Sequence, residues 1–174
     1  MNVRLGPRRI SFIALYLALA VILPVAFHQF GIAGRIFLPM HIPVLLCGFT
    51  VGPAAGAIVG LFAPFLSHLL TGMPPLYAAP LMTLELPLYG IVAGLAYKKM
   101  GMNIYLSLLI AMVIGRLAFA LGLLILGLFM ELPYGPVQFF AAGGAAITGI
   151  PGIILQIIII PPLVAAIKRI DHGR

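Results

Sequence analysis

From Ile10 to Phe27 the chain runs for about 18 residues without a charged side chain, and comparable apolar stretches recur along most of its length. Such runs are stable in lipid, where a helix satisfies its own backbone hydrogen bonds. Composition points the same way. Hydrophobic residues make up 63% and charged residues 7%, against about half and about a quarter in an ordinary soluble domain. Mean hydropathy is +1.23. These values exclude a soluble globular domain, a disordered chain and a disulfide-stapled secreted module. Cys47 is the single cysteine, so no intramolecular disulfide is possible. The expected fold is an all-α membrane protein. At roughly 20 residues per helical span, the chain holds about five to seven spans with short loops and leaves no room for a soluble domain.

The formal charge is +7. Its placement argues against nucleic acid as a partner. Arg4, Arg8 and Arg9 precede the first apolar run, Lys98 and Lys99 separate two runs, and Lys168, Arg169 and Arg174 follow the last. Cations that flank apolar spans are a topology signal, and no basic patch is interleaved with aromatics. The basic start, apolar stretch and small residues Ala18 and Ala20 are also compatible with a signal peptide. The first run is long for a signal core and everything after it is membrane-like, so a retained span is expected.

Six spans are expected, at about 10–27, 36–52, 54–71, 81–97, 104–130 and 146–167, in a single integral-membrane domain covering 1–174. The doubtful point is Gly52-Pro53, because Ile42 to Thr71 could form one long helix. Charge parity decides it. With the N-terminal arginines in the cytoplasm, six spans also put Lys98-Lys99 and Lys168-Arg169 there, whereas five would put both clusters outside. Pro53 cannot continue a helical ladder and Gly52 suits a helix end. The expectation is a compact six-helix bundle with both termini cytoplasmic. Pro24, Pro43, Pro64, Pro87, Pro151 and Pro161-Pro162 lie within or at the edge of five spans, and the carbonyls they free need protein or a wet cavity. Small residues recur at four-residue spacing (Gly52, Gly56, Gly60; Gly90, Gly94; Ala118, Gly122), as close helix packing requires. No internal repeat supports an inverted-repeat transporter.

Two charges fall within spans, Glu85 and Arg116, and intramembrane charges are functional candidates. Counting at 1.5 Å per residue, both lie about 18 Å from the cytoplasmic end, with His68 at about 21 Å and Gln156 at about 17 Å. The four groups are expected to form one layer, with Glu85 and Arg116 as neighbours at the edge of a ligand pocket open to the outside. The bland reading is an ion pair that fixes helix register, a poor stabiliser because desolvation can exceed the attraction. Outer loops add contact residues: His28, Gln29, Arg35, Met40 and His41 in the first; Thr71, Met73 and Tyr77 in the second; Tyr134, Gln138, Phe139 and Phe140 in the third. Phe139 and Phe140 are either interfacial belt or lid. Gly31, Gly34, Gly143 and Gly144 would let a lid move. The expected substrate-binding set is His41, His68, Met73, Tyr77, Glu85, Tyr89, Arg116, Phe139 and Gln156. No catalytic constellation, P-loop, CxxC or standard metal spacing is present, His28, His41 and His68 included. No cofactor or metal is expected, and Cys47 reads as a small buried hydrophobe.

Several segments together resemble the substrate-binding S component of an energy-coupling factor (ECF) vitamin transporter. Ala14-Leu15-Tyr16-Leu17-Ala18 is similar to the family's AxxxA helix-contact motif. Leu38-Pro39-Met40-His41-Ile42-Pro43 followed by Gly52-Pro53-Ala54-Ala55-Gly56 matches its P-x-x-x-P and GPxxG punctuation, and Glu85-Leu86-Pro87-Leu88-Tyr89-Gly90 occurs in several branches. The cobalt and nickel branch is less similar, since Asn2 stands where it has His. The resemblance implies a binding subunit without its own ATPase motif, in the plasma membrane of a prokaryote. Such a subunit captures one vitamin or precursor from outside, docks on a transmembrane T component driven by two cytosolic ATPases, topples and releases substrate inside. Ala14 and Ala18 would face the T component, residues 28–41 would form the gate, and the spans bearing His68, Glu85, Arg116 and Gln156 would line the pocket. Family substrates include riboflavin, folate, thiamine, biotin, pantothenate, niacin and cobalamin; Arg116 hints at an anionic group such as a carboxylate, which Glu85 could neutralise, and the substrate itself is not readable. The rival readings are a stand-alone proton-coupled secondary transporter using Glu85, and a ligand-free membrane assembly protein.

Overall fold

The computed structural model describes residues 6–28, 36–129, 131–141 and 145–172. Asn2, Arg4, Gln29, Gly31, Gly34, Arg35, Gly143, Gly144 and Arg174 lie outside the described residues, as does the side chain of His28. The elements are α1 (Pro7–His28), α2 (His41–Thr50), α3 (Pro53–Thr71), α4 (Ala78–Gly94, continued by a π-helical turn Leu95–Lys99), α5 (Ile104–Leu126), α6 (Pro136–Phe140), α7 (Ala145–Thr148) and α8 (Ile150–His172). No strand occurs among the described residues. Five helices are long and apolar enough to cross a membrane: Pro7–Phe27, Pro53–Thr71, Ala78–Lys99, Ile104–Leu126 and Ile150–Ile170.

The segment expected as a span at 36–52 behaves differently. Residues 36–37 are helical, Leu38 turns the chain at φ 50°, and Pro39 and Met40 form a turn. Only then does α2 begin. Its 10 residues reach about 15 Å, half the hydrocarbon thickness. Every residue from His41 to Phe49 is buried, so α2 is wrapped by protein rather than lipid. The break that follows is local chemistry. Gly52 adopts φ 131°, which a residue with a Cβ rarely does, and Pro53 opens α3 at a position that needs no backbone N–H. Elsewhere the helix ends shift by a few residues. The fifth helix stops at Leu126, α4 stays helical through Lys99, and the last begins at Ile150 and runs to His172.

Close approach of α2, α3 and α4 builds the centre of the bundle. A Cβ at Gly60 would lie 2.5 Å from Pro87 N, so α3 sits directly on the proline-bared backbone of α4. A Cβ at Gly48 would lie 2.5 Å from Gly90 O, and one at Gly90 would collide with the Gly56 backbone. The four-residue glycine spacing thus marks a backbone-to-backbone seam. α5 packs on the other side of α4, and α8 packs against α2 and α5. α1 covers α2 and α3 through Tyr16 and Ala20, with the Tyr16 hydroxyl 2.9 Å from Thr50 Oγ1. The opposite faces are apolar and exposed. On α5 these are Leu106, Leu109, Val113, Leu117, Leu121 and Leu124, a stripe that suits lipid and not water.

Candidate ligand-binding site

Three helices bring polar side chains into this dry interior. On α4, Leu81, Glu85, Tyr89 and Ala93 recur every four residues and are all buried, so Glu85 faces inward and is 1% exposed. His41, the first residue of α2, is 2% exposed and faces it. Arg116 comes from α5, beside Gly115, where any side chain would collide with the Tyr89 ring.

Glu85 Oε1 lies 3.3 Å from Arg116 Nη1 and 3.5 Å from His41 Nε2. Tyr89 lies one turn beyond Glu85 on α4, and its ring meets the His41 ring edge-on at 5.0 Å. Neither charge contact has hydrogen-bond geometry. Glu85 Oε1, both His41 ring nitrogens and Arg116 Nε and Nη2 are buried without a hydrogen-bond partner. A buried unsatisfied polar group costs about 1–3 kcal/mol, and more when charged. A cluster holding several of them is therefore arranged for something other than stability alone.

Arg116 is roofed by an aromatic group. The short α6 is opened by Pro136 and by a hydrogen bond from Gly135 N to Gln138 Oε1 at 3.0 Å. It turns Phe139 inward, 1% exposed and stacked on Phe119 at 4.8 Å. The Arg116 guanidinium carbon lies 5.8 Å from the Phe139 ring centre, within cation–π range. Phe140 meets Phe139 edge-on at 4.9 Å and is itself 47% exposed, so the two neighbours occupy different surroundings.

Of the nine residues expected to bind substrate, the structure brings together His41, Glu85, Tyr89, Arg116 and Phe139. Gln156 is buried on α8 with its Nε2 unpartnered. His68 lies in the last turn of α3, and Met73 and Tyr77 belong to the α3–α4 connection that follows. His68 Nδ1 lies 2.8 Å from Pro74 O, Met73 N donates to Thr71 Oγ1 at 3.2 Å, and Tyr77 immediately precedes α4. Equal depth along a span did not make His68 a neighbour of Glu85. Sequence reasoning missed Ser67, fully buried with an unpartnered hydroxyl. The signal was available. Gly56, Gly60, Ala63 and Ser67 continue one helical face at four- and three-residue steps, and His68 lies one residue off it. Among the described residues no three His, Cys, Asp or Glu side chains group as metal ligands.

The sequence model of the family described as "ECF transporter, substrate-specific component" matches residues 8–164. The chain belongs to this family. No curated protein and no solved structure matches it. An S component is a transport subunit, and the apolar helices agree with a multi-pass membrane protein. The match includes the Ala14-x-x-x-Ala18 segment of α1. Ala14 and Ala18 are exposed on the face turned away from the bundle, whereas Tyr16 and Ala20 between and beyond them are buried.

Proposed function

We infer that this S component captures a vitamin or a related small molecule from outside the cell at the His41–Glu85–Tyr89–Arg116 cluster. It delivers the ligand inward with a transmembrane T component and cytosolic ATPases, in the plasma membrane of a prokaryote. It performs no chemistry itself. The observation that carries the reading is the set of buried, unpartnered polar atoms beneath Phe139. A bilayer protein has no solvent at that depth to satisfy them, and a polar ligand would. Gln156 and Ser67 are candidate additions to the pocket. His68, Met73 and Tyr77 are candidates for its outer rim, at and beside the α3–α4 connection.

Six crossings with cytoplasmic termini remain the preferred topology, because parity then keeps Lys98, Lys99, Lys168 and Arg169 on the same side as the N-terminal Arg8 and Arg9. In that arrangement residues 36–50 cross as a broken segment shielded by its neighbours. Non-helical backbone at membrane depth is tolerated where it is buried in protein. Exposure of Ala14 and Ala18 supports a contact with the T component.

Two measurements test this reading. Mass spectrometry of small molecules released from the purified protein should identify one bound compound, and an empty protein that no vitamin stabilises against heat would remove the function. Replacing Ala14 and Ala18 with Trp should abolish uptake in cells supplying the T component and ATPases while ligand binding to the isolated protein persists. Uptake at the normal rate would exclude this docking face.

A further inference from the structure

We propose that the ligand carries a carboxylate, seated on the Nε–Nη2 edge of Arg116 beneath Phe139. The proposal rests on the reading of this cluster as the ligand site and adds the chemical group that the site selects. A guanidinium presents its donors in a fixed planar fork. Arg116 spends Nη1 on Glu85, at 3.3 Å. The edge formed by Nε and Nη2 is buried and has no partner. That edge offers two parallel N–H groups, which match the two oxygens of a carboxylate.

The alternatives fit less well. A primary amide has one acceptor and turns its own N–H toward a donor edge. A cationic group would need an acid, and the one acid in the cluster, Glu85, already faces Arg116 and His41. An uncharged apolar group would leave two charged donors unsatisfied at a cost that binding would have to overcome. His41 contributes to the same balance. Its Nε2 lies 3.5 Å from Glu85 Oε1, so the Glu85 carboxylate has His41 and Arg116 as its two basic neighbours. Charges then alternate along the series Glu85, Arg116 and ligand carboxylate. Phe139, 5.8 Å above the guanidinium, keeps water from that edge once the ligand is in place.

The test uses the full chain in detergent or nanodiscs. The compound released from the purified protein should contain a carboxylate; one without it overturns the proposal while leaving the binding function standing. Matched pairs need no mutation: nicotinate with nicotinamide, biotin with biotinamide, and pantothenate with pantothenol. Where either member stabilises the wild-type protein, the acid should bind more tightly by about 10- to 100-fold, the scale of a lost charge-assisted hydrogen bond. Arg116→Lys keeps the charge and loses the fork. It should weaken the released acid by a similar factor and narrow the gap between the acid and its neutral analogue. Equal affinity within a pair, or Arg116→Lys at wild-type affinity for the acid, would refute the carboxylate seat. Failure of every compound to bind, with none released, would instead remove the function on which it rests.

Discussion

At the scale of single residues, the strongest constraint is the charge on Glu85. Its side chain is 2% exposed and its Oε1 faces both Arg116 and His41. Glu85→Gln keeps the shape and removes the compensation, which leaves the Arg116 guanidinium buried beside a neutral amide. Breaking a buried pair from one side costs about 3–5 kcal/mol. Thermal unfolding of the detergent-solubilised variant should show a loss of that order. Glu85→Leu with Arg116→Met removes both charges and should recover most of the stability, since a buried pair replaced by apolar residues is often neutral. The two substitutions are coupled, and their interaction free energy measures how much of each single loss is an orphaned charge. A double variant as unstable as the sum of the single ones would show that the pair does not act as a unit.

Among elements, the seam of α2, α3 and α4 does the most to position the site, because it holds His41 and Glu85 on a common frame. Gly90→Ala tests it with two opposing effects. Alanine favours a helix by roughly 1 kcal/mol over glycine. The new Cβ, however, meets the Gly56 backbone, which cannot swing aside as a side chain can. Overpacking of this kind costs about 1–3 kcal/mol, so net destabilisation is expected in thermal or denaturant unfolding. Gly122→Ala is the control. Its Cβ would meet the Leu84 side chain at 3.0 Å and the Leu81 side chain at 3.2 Å, both flexible ends. That variant should stay within about 1 kcal/mol of the parent, helped by propensity. Equal losses at the two positions would mean that the seam is not the tight contact described.

For the molecule as a whole, topology is the property to measure. Cys47 is fully buried, and Cys47→Ala provides a background without thiols. Tyr77→Cys, in the α3–α4 connection, should react with an impermeant maleimide added to intact cells. Met100→Cys, between α4 and α5 and 70% exposed, should react only after the membrane is opened. The reverse pattern would place Lys98 and Lys99 outside and reject the charge-parity argument. Labelling of both sites from outside would indicate that the segment between them does not cross.

What the sequence by itself determined is the class of the protein, its helical segments and the two charges that matter. These follow from quantities that are local along the chain. An apolar run needs lipid, Gly52-Pro53 ends and restarts a helix, and Glu85 and Arg116 stand out because charge is rare inside a span. Tertiary structure alone decided which groups meet. His41 joins Glu85 because α2 is a short helix buried along its length, a fact invisible in an apolar segment that reads equally well as a span. His68 turns to Pro74 O while Ser67 takes the buried position, because one residue along α3 turns a side chain by about 100°. Gly48 stands four residues before Gly52, in step with Gly56 and Gly60, but spacing does not name its partner, because Gly90 lies on another helix. Hydropathy and charge set how deep a residue sits, but direction around the helix axis and the identity of the neighbour arise only when helices pack, because close packing selects one rotation of each helix from many of equal hydropathy.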